Sequence, residues 1–190
     1  MHGKWLWLII GLALAGNTLA QTSVPGAYAP SQATTIGSAE IKAAIDLNEA
    51  GALADSVLRV VPIESSYNVG VSVVRRSQVD GKTPPDAIVH EAIAEIYQII
   101  EGSGVLVTGG TLESPTPFPN DGAIVRQIIG PSSAGKVILG GTSRKVGPGD
   151  IVVIPPHTPH GFVEITTPRI VYTLIRIDPQ QLLELRGEPH

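Results

Sequence analysis

Residues Gly149–Phe162 read GDIVVIPPHTPHGF, which joins a turn, an apolar run and a second turn that carries histidine. The run Ile151–Ile154 is short and β-branched, and it predicts a strand buried on both faces. Two prolines end this strand, because proline has no backbone N–H to donate to a sheet. His160 then lies where the chain changes direction, a common position for a ligand residue on a rigid scaffold.

A second informative segment, Ala87–Gly102, reads AIVHEAIAEIYQIIEG. Four residues separate His90 from Glu95, which predicts a hairpin loop that brings the two side chains close together. Alternate residues of a strand point to the same face, so Ile88 and His90 on one strand, and Glu95 and Tyr97 on the next, are expected to share one interior.

The two segments resemble the two motifs of the cupin superfamily. The first motif is written G-x5-H-x-H-x3,4-E-x6-G, and its downstream part is matched by His90, Glu95 and Gly102 at the motif's spacing. The resemblance covers about residues 57–178. It implies an all-β fold, a cupin-type jelly-roll β-barrel, preceded here by a short N-terminal helix.

The second cupin motif, G-x5-P-x-G-x2-H-x3-N, is matched by Gly149, Pro155 and His160. His157 stands at the motif's inner glycine position, which predicts a left-handed turn that glycine tolerates and that histidine adopts more often than most residues. Glu164 replaces the closing asparagine.

The resemblance implies that His90, Glu95 and His160 hold one divalent transition metal, with iron, manganese, nickel and zinc as the candidates. Two histidines and one carboxylate with open positions suit these metals, and open positions are typical of a reactive site rather than a structural one. Ile88 stands where the motif has its first histidine, so one of the four usual ligands is missing. The alternative is a degenerate pocket that has lost its affinity for metal.

Four further residues are predicted to lie at the pocket around this centre: Ile88, Tyr97, His157 and Phe162. Four arginines in or beside β segments are candidates to contact a bound carboxylate: Arg75, Arg76, Arg126 and Arg176. The guanidinium group suits that role because its planar fork matches a carboxylate. Which of the four face inward depends on a strand register that the sequence leaves open.

The amino-terminal residues resemble a secretory signal peptide. Lys4 precedes the eleven apolar or small residues Trp5–Ala15, and cleavage is expected after Ala20. Eleven residues are too few to span a bilayer. The protein is therefore expected to be exported to the periplasm or the extracellular space, without a permanent membrane anchor.

Composition excludes several classes of function. The net charge of −4 gives no basic surface for nucleic acid. Aromatic residues make up only 4% of the chain, which argues against a stacking platform for long polysaccharides, although Tyr97 or Phe162 could hold a single sugar. Removal of 20 residues from 190 leaves 170, enough for one domain with a sizeable core.

The predicted organisation is a signal peptide at 1–20, a flexible leader at 21–35, a helical segment at 36–56, the barrel at 57–178 and a C-terminal tail at 179–190. Ser38 is expected to cap the helix, Gly51 to end it, and its apolar face to pack on the barrel wall. Ile124–Ile129 is among the predicted strands. The long connection Gly109–Lys145 is either a binding loop or a surface insertion.

Three functions fit this sequence. The first is an exported metal-dependent cupin that acts on a small organic molecule as a dioxygenase, isomerase or lyase. The second is a non-catalytic cupin that binds a small ligand or a sugar through a degenerate metal site. The third is a structural or storage-like barrel. A homodimer is expected, because cupin barrels often pair through strand edges.

Overall fold

The structure is a computed structural model that describes residues 33–46, 53–81 and 87–186. The predicted signal peptide, most of the predicted leader and the predicted helix stop at Gly51 lie outside these residues. Within the described ranges, no helix is long and apolar enough to cross a lipid bilayer.

The described chain is dominated by strands. It contains one α-helix, α1, at Ser38–Asp46, and a one-turn π-helix at Val125–Ile129. The strands are β1 (Leu53–Ile63), β2 (Tyr67–Val79), β3 (Ala87–His90), β4 (Ala94–Glu101), β5 (Gly104–Thr108), β6 (Thr111–Leu112), β7 (Thr116–Pro117), β8 (Ser132–Gly135), β9 (Ile138–Leu139), β10 (Thr142–Val146), β11 (Ile151–Ile154) and β12 (His160–Asp178).

The long strand β12 organises the barrel. Its first part pairs with β5 and touches β3, while its second part lies between β2 and β4. The register shifts between Ile165 and Arg169, where the strand passes from one set of partners to the other. Every pairing is antiparallel. The predicted all-β jelly-roll barrel is confirmed.

The short N-terminal helix is also confirmed. Its buried Ala44, with Ile41 and Ile45 beside it, packs on Val73 and Val171 on the outside of β2 and β12. An ion pair from Glu40 to Arg59 fixes the same helix to β1. Strand β1 already begins at Leu53, inside the segment predicted as helical.

Two local predictions are wrong. Ile124–Ile129 is not a strand, because these residues enter the π-helix, which ends at Gly130 with a φ of 64°. The link from β3 to β4 is not a hairpin, since β3 pairs with β8 and β12, whereas β4 pairs with β11 and β12.

Strand β11 is buried on one face only. Ile154 is buried, but Ile151 and Val153 are 63% and 65% exposed. The reason is positional: β11 has β4 as its partner strand, and no described residue covers its outer face. The prediction that Ile151–Ile154 is buried on both faces is therefore wrong for one face.

The C-terminal residues continue the fold to Arg186. The backbone of Arg186 exchanges two hydrogen bonds with Val60 of β1, at 2.8 and 3.1 Å. Leu183 packs in a buried cluster with Val60 and Ile93. This segment therefore packs against β1.

Gly102, the closing glycine of the first motif, tests how tightly the turn after β4 is packed. Its φ is 78°, and an added Cβ would collide with the carbonyl oxygen of Arg169. Gly109 has a similar φ of 81° but nothing within 4 Å of the same position. We expect Gly109→Ala to lower the free energy of unfolding by about 1–2 kcal/mol, the penalty for a left-handed alanine. Gly102→Ala should lose about 1–3 kcal/mol more, because the backbone must move.

Chemical denaturation of the two variants and the wild type measures this difference. Equal losses for Gly102→Ala and Gly109→Ala would show that the contact with Arg169 yields easily.

Candidate metal centre

Three strand ends converge on one buried point. His90 ends β3, Glu95 lies at the start of β4, and His160 opens β12. Their side chains are almost fully inaccessible, with residue exposures of 3%, 1% and 2%. His160 stands opposite Ile88 in the pairing of β12 with β3. The fold thus gathers residues that are seventy positions apart in the chain.

The distances suit a single ion. His90 Nε2 lies 3.2 Å from Glu95 Oε1, and His160 Nε2 lies 3.2 Å from Glu95 Oε2. One ligand atom from each residue falls within 4.8 Å of the other two. Ligand atoms held about 2.1 Å from one metal at 90–110° are about 3.0–3.4 Å apart. Each imidazole nitrogen thus lies within this range of one oxygen of the Glu95 carboxylate, although the two nitrogens face different oxygens.

The hydrogen bonds at the opposite side of each imidazole set its tautomer. His160 Nδ1 lies 2.9 Å from the carbonyl oxygen of Thr158, so this nitrogen must donate. The Ser132 hydroxyl lies 2.7 Å from His90 Nδ1 and 2.9 Å from the carbonyl oxygen of Gly130. Because the carbonyl can only accept, Ser132 gives it the hydroxyl proton and accepts from His90 Nδ1. In the neutral imidazoles, both Nε2 atoms then carry a lone pair, as metal-binding histidine requires.

These tautomers leave three electron-rich groups facing each other. His160 Nε2 is close to Glu95 but poorly aligned with it, and this buried nitrogen has no hydrogen-bond partner. An unsatisfied buried polar atom is unfavourable and rare in folded proteins. A divalent cation would satisfy both nitrogens and the carboxylate at once. The residues therefore fit a metal.

The Glu95 carboxylate is held in its charged form. Tyr97 donates its hydroxyl to Oε2 at 2.9 Å, and Arg176 donates Nε to Oε1 at 3.0 Å. Burial opposes the charge, but the nearby positive charge of Arg176 helps to keep the pKa of Glu95 well below its usual range. Burial, together with the charge of Glu95, raises the pKa of Tyr97, so its hydroxyl stays protonated.

Arg176 belongs to a wider buried network. Its Nη1 donates to the Ser72 hydroxyl at 2.9 Å, and its Nη2 pairs with Asp55 at 2.5 Å. Burial disfavours the cation, but Asp55 and Glu95 raise the pKa of Arg176 above its ordinary value. Sequence reasoning named Arg176 only as one of four arginines, and it gave Asp55 and Ser132 no role. The positions of these residues follow from the strand register, which brings β1, β2 and β8 beside the centre.

The centre opens into a cavity of about 520 Å³. Ile88 and Tyr97 line this cavity, as do residues of the long connection between the two motifs. That connection supplies Phe118, Ile124, Ile128, Ile129 and Ala134. It is therefore a wall of the cavity, as in the binding-loop alternative, and more than a surface insertion.

Two residues predicted at the pocket lie elsewhere. His157 is exposed, with a φ of 60° in the expected left-handed turn, and its backbone N–H donates to the carbonyl oxygen of His90 at 2.7 Å. The turn directs its side chain outward and leaves only its backbone to support the centre. Phe162 is buried in the main core with its ring centroid 5.8 Å from that of Tyr172, and it is absent from the described cavity wall.

The four candidate arginines lie in different parts of the structure. Arg76 and Arg176 line the cavity. Arg126 pairs with Glu184 at the surface. Arg75 is buried but lies outside the cavity wall that the structure describes.

Comparison with a family model is consistent with this architecture. The model of the AraC-like ligand binding domain matches residues 134–189, which include the second motif. The resemblance to the cupin superfamily is confirmed by this match together with the fold. No curated protein matches the chain.

Solved structures that resemble the chain include several enzymes. An oxalate oxidase in complex with glycolate is 20% identical, with a TM-score of 0.41, over 71% of this chain and 55% of its own. A sugar phosphate isomerase of the cupin superfamily from Silicibacter pomeroyi is 19% identical, with a TM-score of 0.34, over 57% of this chain and 49% of its own.

A putative mannose-6-phosphate isomerase from Ralstonia eutropha is 14% identical, with a TM-score of 0.40, over 68% of this chain and 88% of its own. The chain thus spans about half the length of the oxalate oxidase and of the first isomerase. Similarity at these levels supports no statement about activity.

Loss of metal from ligand variants is the direct test of the centre. Glu95→Gln keeps the size of the side chain but removes the charge that offsets a cation, and His160→Ala removes a nitrogen ligand. Removing a residue that only supports a ligand lowers metal affinity about 10- to 100-fold, so either ligand variant should lose at least as much. Elemental analysis and titration with iron, manganese, nickel and zinc measure occupancy and affinity.

His157→Asn is the matched control, because asparagine tolerates the left-handed turn and the side chain points outward. It should keep the metal. A wild type that binds none of the four metals would contradict the site.

Proposed function

We propose that this chain is an exported, metal-dependent cupin protein that acts on a small organic molecule. The observation that carries the proposal is the set of two Nε2 lone pairs and one charged carboxylate around a single buried point, with one nitrogen lacking any other partner. A divalent transition metal bound there would supply a Lewis acid with exchangeable positions.

The residues around the centre would prepare it for that role. Ser132 and the Thr158 carbonyl hold the imidazoles in the ligand tautomer, and Tyr97 and Arg176 hold Glu95 in orientation. Such supporting hydrogen bonds stabilise the geometry before anything binds. The apolar walls would exclude water from a bound substrate, which strengthens polar interactions inside.

Ile88 favours a three-residue centre over the four-ligand arrangement. It is paired with His160 across the strands and lines the cavity, where it offers no ligand atom. The position next to the metal that a further imidazole would take is therefore available to a substrate or to water.

A second candidate, a non-catalytic ligand-binding protein without metal, is favoured by one contact. The Arg176 guanidinium already lies 3.0 Å from Glu95, so a permanent cation partly neutralises the carboxylate. In that case, the cavity would bind its ligand without turnover.

Turnover assays on metal-loaded protein separate the two candidates. We expect the wild type, loaded in turn with iron(II), manganese(II), nickel(II) or zinc(II), to convert at least one member of a panel of small organic acids and sugars. Mass spectrometry identifies the reaction class: incorporation of both atoms of O₂ indicates a dioxygenase, an unchanged mass an isomerase, and fragmentation a lyase. Glu95→Gln should abolish the conversion.

Ligand-induced thermal stabilisation without turnover in any metal form would support the binding protein instead. If the protein shows no ligand-induced stabilisation and no turnover, the structural barrel is favoured.

Export is the remaining part of the proposal, and the amino-terminal sequence pattern supports it. Mass spectrometry of protein recovered from the periplasm or medium should show a chain that begins at Gln21, because a signal peptidase is expected to cut after Ala20. Recovery of the chain with Met1 intact in the membrane fraction would contradict this. The expected homodimer stays a prediction.

A further inference from the structure

Two arginines line the cavity, and their surroundings differ. Every nitrogen of Arg176 has an acceptor: Nε bonds Glu95, Nη1 bonds Ser72 and Nη2 bonds Asp55. Arg76 makes one bond, from Nε to the Tyr172 hydroxyl at 3.0 Å. Among the described residues, no carboxylate forms an ion pair with Arg76.

Arg76 is held in place while its outer edge stays available. Its Cζ lies 5.8 Å from the centroid of the Phe162 ring, which offers an aromatic face to the cation. The residue is half-buried on the wall of the cavity. Guanidinium has five N–H donors, and the four on Nη1 and Nη2 form the fork that receives a carboxylate side-on.

One pair of stacked rings connects Arg76 to the candidate metal centre. Tyr172, which accepts from Arg76, stacks on Tyr97 with ring centroids 4.5 Å apart. Tyr97 in turn donates to Glu95 at 2.9 Å. A small molecule in the cavity can therefore contact Arg76 and lie close to the centre at the same time.

The charges of the cavity wall favour an anion. Its charged residues are Asp55, Glu95, Arg76 and Arg176, so two positive charges balance two negative ones. A divalent ion at the centre would raise the total to +2. Excess charge in a partly dehydrated cavity is unfavourable unless it is paired. A negatively charged ligand supplies that pairing.

A second part of the cavity wall is apolar. It is formed largely by Phe118 and by three isoleucines in and beside the π-helix: Ile124, Ile128 and Ile129. Groups of this kind favour a hydrocarbon body over a sugar ring covered with hydroxyls, because each buried hydroxyl would lack a partner.

We propose that Arg76 is the anion anchor of this cavity, and that the substrate is a small organic acid with an aliphatic or aromatic body. The carboxylate pairs with Nη1 and Nη2 of Arg76, the body lies on the isoleucine wall, and the reacting part faces His90, Glu95 and His160. This inference rests on the proposed function for the last of these contacts and for the excess positive charge that a metal would add. The binding contacts of the acid need no metal.

Calorimetric titration with hexanoate and benzoate tests the anchor, with hexanamide and benzamide as neutral probes of the same shape. We expect the wild type to bind each acid more tightly than its amide. Arg76→Gln should weaken acid binding about 10- to 100-fold, the usual contribution of hydrogen bonds to a charged group, and leave amide binding unchanged. Arg76→Lys should retain part of the affinity, since it keeps the charge without the fork.

Arg144→Gln is the matched control, because Arg144 is exposed on β10 and does not line the cavity. It should bind the acids as the wild type does. Thermal melting confirms that each variant is folded. If Arg76→Gln is unstable, Arg76→Lys still tests the proposal through its intermediate affinity for the acids and its normal affinity for the amides.

Titrations of metal-free and zinc-loaded protein separate this inference from the proposed function. If the wild type takes up no metal but Arg76→Gln still loses acid binding, the result supports the Arg76 anchor and contradicts the metal centre. Acid binding that requires zinc and is the same in Arg76→Gln would show that the metal holds the carboxylate, and would overturn the anchor. A wild type that prefers neither acid to its amide would also overturn it.

Discussion

The buried carboxylate of Glu95 is the constraint on which the rest of the centre depends. A charge that is 1% exposed persists only when its surroundings stabilise it, and here Tyr97 and Arg176 both donate hydrogen bonds to the carboxylate. Removing any one partner would leave part of a buried charge uncompensated. The barrel must therefore place strands β3, β4 and β12 with ångström precision.

Strand β12 makes that precision possible. It carries His160 at its first residue and Arg176 near its last, so one continuous strand supplies both a candidate ligand and the cation that braces Glu95. Between them it exchanges its partner strands around Ile165 to Arg169, which bends it around the core. The tight turn at Gly102 packs against this bend. Gly102 therefore packs against the same strand that carries His160 and Arg176.

The sequence predicted the residues of the centre better than the strands that carry them. The resemblance to the two motifs was enough to predict that His90, Glu95 and His160 lie together, because each motif is a local pattern with fixed intervals. Ile124–Ile129 was misread because β-branched residues also suit a buried helical turn when Gly130 permits its end. The exposure of Ile151 and Val153 and the inward direction of Arg76 depend on which strands become neighbours. Pairing across distant segments has no counterpart in a local pattern.

The two cavity arginines show why composition alone does not define a binding site. Both lie on inner strand positions, and both would count equally in the sequence. Arg176 is saturated by Asp55, Ser72 and Glu95, so it can only stabilise the centre. Arg76 donates one hydrogen bond to Tyr172, and it lines a cavity that also has apolar wall residues. Because its remaining donors have no acceptor among the described residues and the cavity is large enough for a small molecule, a ligand with a carboxylate can supply the acceptor.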